Sequence, residues 1–144
     1  MKALLDTSVL VAALVESHPM HARAHPWLDR AIGGEFDWAV AAHSLAELYH
    51  VLTAYPVRPR IPPEIARQLI QENIAKKATV VALTATDYMV VVQRMAAMNL
   101  AGGVIYDALI LRAAERAGVD RVVTFNVDDF RRLWPDGAAK ILAP

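Results

Sequence analysis

Short β-branched runs alternate along this chain with longer stretches of helical spacing, and that alternation constrains the fold more than any other feature. Lys2–Leu5, Asp37–Ala41, Thr79–Leu83 and Asp120–Phe125 have the character of strands, with Lys140–Leu142 as a short last one. Helical spacing fills the intervals. It covers Val9–Val15, entered through Asp6-Thr7-Ser8, and His21–Ile32, stopped by Gly33-Gly34. It returns at Ser44–Ala54, Glu64–Lys76, Asp87–Asn99, Val104–Ala117 (closed by Gly118) and Asp128–Leu133. From Pro56 to Pro63 the X-Pro steps hold the backbone extended. This run is a connection within the domain, because apolar periodicity resumes at once. Strands separated by helices demand right-handed crossovers. The expectation is therefore an α/β fold: three layers, α/β/α, around a central, mostly parallel sheet, as one domain over residues 1–144. In such sheets ligands bind beyond the carboxyl ends of the strands.

Composition agrees with a globular chain. Of 144 residues, 56% are hydrophobic and 21% charged, which excludes a disordered polymer. A chain of this length buries roughly 68–70% of its unfolded surface, enough for a core without staples. Cysteine is absent. That excludes disulfides, zinc–thiolate sites and thiol nucleophiles, and places the expected location in the cytoplasm. Fifteen basic residues balance fifteen acidic ones, so net charge does not point to nucleic acid. The apolar start has the look of a signal peptide, but Asp6 interrupts it, and no run reaches the ~18 residues of a membrane span.

The acidic residues stand where apolar ones would be expected. Asp6 follows the first strand, where it either caps a helix or lines a site at the sheet's carboxyl edge. Glu47 shares a helix stripe with His43, Ser44, His50 and Val51, and a solvated helix face accounts for it equally well. Asp107 is harder to dismiss. Its neighbours one turn away are Val104, Ile110 and Leu111, so its carboxylate has to be paired, protonated or bound to a cation. It also follows Gly102-Gly103 in a first helical turn, where the dipole favours an anion. A last group, Thr124-Phe125-Asn126-Val127-Asp128-Asp129-Phe130, again follows a strand, and an Asx-turn or cap would satisfy it. Each signal alone is ordinary. Their common address at one sheet edge is not, because clustered carboxylates repel one another and raise one another's pKa. Oxygen donors without cysteine point to Mg²⁺ or Mn²⁺ as the ion that offsets this.

Four motifs in this order resemble the PIN-domain ribonucleases, and among them the VapC-type toxins of prokaryotic toxin–antitoxin pairs. They are Leu4-Leu5-Asp6-Thr7-Ser8-Val9-Leu10, Ser44-Leu45-Ala46-Glu47-Leu48, Tyr106-Asp107-Ala108-Leu109-Ile110 and Thr124 through Phe130, spread over almost the whole chain. The resemblance implies a PIN-like fold and a metal-dependent endoribonuclease acting on tRNA or rRNA. It implies Asp6, Glu47 and Asp107 as catalytic, metal-binding acids. The family's closing pattern, Thr-x-Asn-x-x-Asp/Glu-Phe, maps onto Thr124, Asn126, Asp129 and Phe130. This prefers Asp129 as the fourth acid and leaves Asp128 as the ambiguous neighbour. Ser8, Thr124 and Asn126 would support the ligands from behind. The implied partners are a VapB-type antitoxin and a second copy of the chain, with DNA reached only through the antitoxin.

An RNA substrate calls for a basic rim, because phosphate contacts dominate affinity. Arg58, Arg60, Arg112 and Arg116 are the candidates, with Arg131-Arg132, and each is equally a solvated surface charge. His18, His21 and His25 share one helical face if a helix covers them. The His-Pro steps at 18–19 and 25–26 are expected to disturb it, and no carboxylate is spaced to complete a metal site. A haloacid-dehalogenase-like phosphatase would need an acid two residues after Asp6, where Ser8 stands. A receiver domain would need a Lys after the last main strand, and only Lys140 follows Val123. What remains beside the toxin is an RNA-processing nuclease without an antitoxin, or a PIN-like module without catalysis.

Overall fold

A computed structural model describes all residues, 1–144. Five strands form a sheet in the order β3-β2-β1-β4-β5, and every pairing is parallel. They are β1 (Lys2–Leu5), β2 (Asp37–Ala41), β3 (Thr79–Val81), β4 (Arg121–Val123) and β5 (Ile141–Leu142). The helices are α1 (Thr7–Leu14), α2 (His21–Ile32), α3 (Ala42–Ala54), α4 (Pro63–Ile70), α5 (Ala85–Ala97), α6 (Val104–Ala117) and α7 (Val127–Leu133). A π-helical turn, Gln71–Ala75, extends α4, and a 3-10 turn, Pro135–Lys140, leads into β5.

The alternation of the strands builds two cores. Leu5, Trp38, Val40 and Val123 face α1 to α4, with Leu10, Leu48 and Leu52 fully buried against them. Leu4, Ala41, Val122 and Ile141 face α5 to α7, where Ile110 and Phe130 are fully buried. Side chains of this kind contribute roughly 1.5–3 kcal/mol each when removed from water. The three-layer α/β/α expectation is met, and the sheet is wholly rather than mostly parallel.

Three strands are shorter than their sequences suggest, and of these β5 yields Lys140 to the 3-10 turn before it. β3 pairs only with β2, whose last residue Ala41 lies opposite Val81, so Ala82 and Leu83 have no ladder to join. β4 ends at Val123, paired with Leu142. Past it the Thr124 N–H still donates to the Leu142 carbonyl at 3.0 Å, but the Thr124 side chain turns to Asp6 and the Phe125 N–H to Ser8. The expected break at His25-Pro26 does not occur. α2 runs through Pro26, held by Ala24, Leu28 and Ala31 buried against the core. α6 stops where Gly118 takes a left-handed conformation (φ 61°), which a side chain would resist.

From β1 the chain builds outward through β2 and β3, then returns to place β4 on the other side of β1. The carboxyl ends of β1 and β4 therefore flank the switch point, where open parallel sheets leave a crevice.

Candidate active site

That crevice is a cleft of about 520 Å³, lined among others by Asp6, Thr7, Ser8, Glu47, Asp107, Phe125 and Asn126. β1 delivers Asp6 to its floor, where the residue is 2% exposed. Asp6 occupies the N-cap position of α1 but its side chain makes no capping hydrogen bond. Instead Oδ2 accepts from Ser8 Oγ at 2.7 Å and Thr124 Oγ1 at 2.8 Å. Burial pushes the Asp6 carboxyl up, and these hydroxyls and the nearby N–H groups of Thr7 and Ser8 draw it partly back. Both hydroxyls also tie the loop after β4. Ser8 Oγ accepts from the Phe125 N–H at 3.2 Å, and Thr124 Oγ1 from the Asn126 N–H at 3.0 Å.

Glu47 projects from α3, half-buried. Thr7 Oγ1 donates to its Oε1 at 3.2 Å and exchanges a second hydrogen bond with Ser44 Oγ at 2.8 Å. A hydroxyl carries one proton, so donation to Glu47 leaves Ser44 as the donor to Thr7. His43 Nε2 lies 3.4 Å from the same Oε1. Burial raises the Glu47 carboxyl, His43 and Thr7 lower it, and the charge of Asp6 raises it again.

Asp107 stands in the first turn of α6. Its pKa is pushed up to about 7, first by burial and then by the charges of Asp6, Glu47 and Asp129. The charges that raise it all belong to carboxylates of the same cluster. Asp129, in the first turn of α7, is exposed, sits outside the cleft lining and lies 3.5 Å from Arg132. Of the pair Asp128 and Asp129, only Asp129 adds to the repulsion felt by Asp107. Asn126 reaches the lining directly.

The donors suit a hard divalent cation, since they are carboxylate oxygens that repel one another at Asp107. They are not drawn together as a finished cage, and no three acidic or histidine side chains stand close enough to enclose an ion.

Two of the arginines expected at the substrate are engaged elsewhere. Arg112 Nε lies 2.9 Å and Arg116 3.2 Å from the carboxylate of Asp87, which is 1% exposed. Arg112 also pairs with Glu115 at 2.9 Å. These contacts brace α5 against α6. Arg58 and Arg60 remain exposed, along a second groove of about 690 Å³ between the end of α1, the proline-rich connection and α4. The three histidines make different contacts, although the rings of His21 and His25 also stack, with centroids 4.8 Å apart. His18 stacks on Tyr55, His21 Nδ1 bonds the Ala12 carbonyl at 2.9 Å, and His25 meets Asp29 at 3.1 Å.

Thr7 is the residue that sequence reasoning passed over. It sits inside the Asp6-Thr7-Ser8 motif, but its link to Ser44 and Glu47 spans about forty positions and becomes visible only in three dimensions.

Residues 3–133 match the family model described as the PIN domain. The chain is 34% identical over 110 residues to "Ribonuclease VapC27" of Mycobacterium tuberculosis, covering 76% of this chain and 74% of that one. Among solved structures, Mycobacterium tuberculosis VapC20, described as a sarcin-ricin loop cleaving toxin, superposes with TM-score 0.70 at 15% identity, over 88% of this chain and 92% of that one. VapBC2 from Rickettsia felis, bound to a DNA fragment from its promoter, gives 0.68 at 18% identity over 99% and 98%. The last two likenesses concern the fold.

Proposed function

The chain belongs to the PIN-domain family, and from that premise we propose that it is a Mg²⁺- or Mn²⁺-dependent endoribonuclease, the toxin of a VapBC-type pair. The observation that carries this reading is the convergence of Asp6, Glu47 and Asp107 on one cleft at the switch point of the sheet. The relative at 34% identity is named a ribonuclease, which supports RNA as the substrate.

Asp6, Glu47 and Asp107 would hold the ion, with Asp129 as the fourth acid at the rim. Such an ion supplies a nucleophilic water at neutral pH and offsets charge as the phosphodiester breaks. The chain's own part is to keep the acids aimed and ionised. Ser8 and Thr124 fix Asp6 by two hydrogen bonds to one oxygen, which leaves its other oxygen without a side-chain donor. Thr7 restrains Glu47. Asp107, its pKa raised by burial and by its carboxylate neighbours, would be held ionised by a bound cation. Arg58 and Arg60, exposed along the second groove, would meet the RNA backbone. The substrate class is tRNA or rRNA, and the site of action is the cytoplasm. A homodimer and a VapB-type antitoxin complete the proposal. The antitoxin inserts a basic side chain among the acids and carries the contact with DNA.

The experiment is cleavage of total RNA by the purified protein with Mn²⁺ or with EDTA. Cutting that persists unchanged in EDTA overturns the metal; absence of cutting under both conditions overturns the nuclease.

A further inference from the structure

Beside the acids, an exposed aromatic ring lies against a ring from another helix. The ring of Tyr106, on α6, lies parallel to the imidazole of His43, on α3, with centroids 5.2 Å apart and planes within 3°. Tyr106 is nevertheless 51% exposed. Of the exposed large apolar side chains only Met1 and Met89 are more open, and this one is covalently next to Asp107. His43 in turn lies 3.4 Å from Glu47. The pair therefore bridges the helices that carry Glu47 and Asp107, at the carboxyl edge of the sheet.

We infer that Tyr106, backed by His43, is a stacking platform for an unpaired base of the RNA next to the bond that is cut. This rests on the nuclease reading and assigns a substrate-positioning role within it. The chemistry favours a base over a phosphate. The neighbouring carboxylates repel the RNA backbone, and a neutral aromatic face gives affinity without a charge. Every base offers a π-face, and aromatic stacking is the usual way single-stranded RNA is gripped. The parallel packing on His43 restrains the tyrosine before substrate arrives, so little rotamer freedom is lost on binding. Offset-parallel rings of this kind extend naturally to a third ring. Because the platform adjoins Asp107 in the chain, a base held there sets which phosphodiester faces the acids. A paired base, buried in its own stack, cannot use it.

The test uses the full chain in EDTA, so that binding is read without cleavage. The probe is an unstructured oligoribonucleotide that the wild type cuts in Mn²⁺, with a fluorescent purine analogue at successive positions around the cut. One position should be quenched on binding. Tyr106→Ala should abolish that quench and weaken binding roughly tenfold, the scale of one lost base–aromatic stack. Tyr106→Phe should keep both. An abasic probe at the quenched position should bind wild type and Tyr106→Ala equally, because the partner of the ring is then gone. A merely structural role for the tyrosine would weaken the intact and abasic probes alike, and that result overturns the platform. So does Tyr106→Ala binding as tightly as wild type while wild type still cleaves, which leaves the nuclease reading intact. If Tyr106→Ala changes the mass in solution but not RNA binding, the ring belongs to a protein interface and the inference fails. Wild type that neither binds nor cuts any RNA defeats both readings together.

Discussion

At the scale of single residues, Asp107 carries the clearest physical signature. Its pKa of about 7 is raised above that of the unfolded chain by burial and by like charges. A carboxyl of this kind contributes stability below its unfolded pKa of about 3.8, and that contribution is lost as the pH rises through about 7. Metal-free protein should therefore lose stability between those values. Asp107→Asn should remove the slope and melt higher than wild type at pH 8. The gain is on the order of 1 kcal/mol, because solvent screens a side chain that is only half-buried. Urea unfolding of both proteins in EDTA, across the pH range, checks this, and an Asn variant that is less stable at pH 8 would contradict it. Thr7→Val makes a second case. It keeps the shape of a buried side chain but removes the donor to Glu47. Cleavage should fall by roughly tenfold or more, as one charge-assisted hydrogen bond is lost. Restoring the hydroxyl with Thr7→Ser should recover most of it.

At the scale of elements, the decisive contacts join helices rather than strands. Asp87 closes a capping box with Thr84 at the start of α5 and receives Arg112 and Arg116 from α6. Hydrogen bonding from the Thr84 backbone, then these neighbours, hold its carboxyl down at about 2. The stability it contributes is present above the ordinary pKa of about 3.8 and is lost as the pH falls through about 2. Asp87→Asn should lower the melting temperature at neutral pH, and the gap from wild type should close on acidification toward pH 2. A gap that widens there would show that the carboxylate does not brace the helices. α7 separates packing from chemistry within one turn. Phe130 is fully buried while Asp129 is exposed. Phe130→Ala should cost about 3–5 kcal/mol, whereas Asp129→Ala should change stability by no more than about 0.5 kcal/mol and act on cleavage alone.

At the scale of the whole molecule, the acids come from the end of β1, the middle of α3 and the first turns of α6 and α7, so a shared ion would bind only the folded chain. Mn²⁺ should raise the wild-type stability by about 2.7 kcal/mol at a hundredfold excess over its dissociation constant. Asp107→Asn should lose most of that response. A thermal shift of equal size in both proteins would remove Asp107 from the metal site while leaving the fold untouched. Co-expression with the neighbouring reading frames should also recover a small basic-tailed partner. Its absence would favour an RNA-processing nuclease over a toxin.

Much of this architecture is legible in the order of the residues alone. The alternation of short and long periods dictates parallel strands with helical crossovers, because each strand must hand the chain to a helix before returning. The unusual company of Asp107, a carboxylate among Val104, Ile110 and Leu111, marks a site, since isolated charge does not persist in apolar surroundings. Motif order carries the family. Local pattern could not reveal which polar groups meet. Arg112 and Arg116 look like free surface cations in the sequence, yet the α5–α6 packing gives them to Asp87, twenty-five and twenty-nine positions away. Asp6 looks like a helix cap, yet its oxygen is taken by Thr124, 118 positions away. β3 and β4 end early because a ladder needs a partner opposite, and the partner's length is written elsewhere in the chain. Periodicity is a property of neighbours along the backbone and survives without tertiary structure. Hydrogen-bond and charge partnership is a property of neighbours in space, decided only when β4 folds back beside β1.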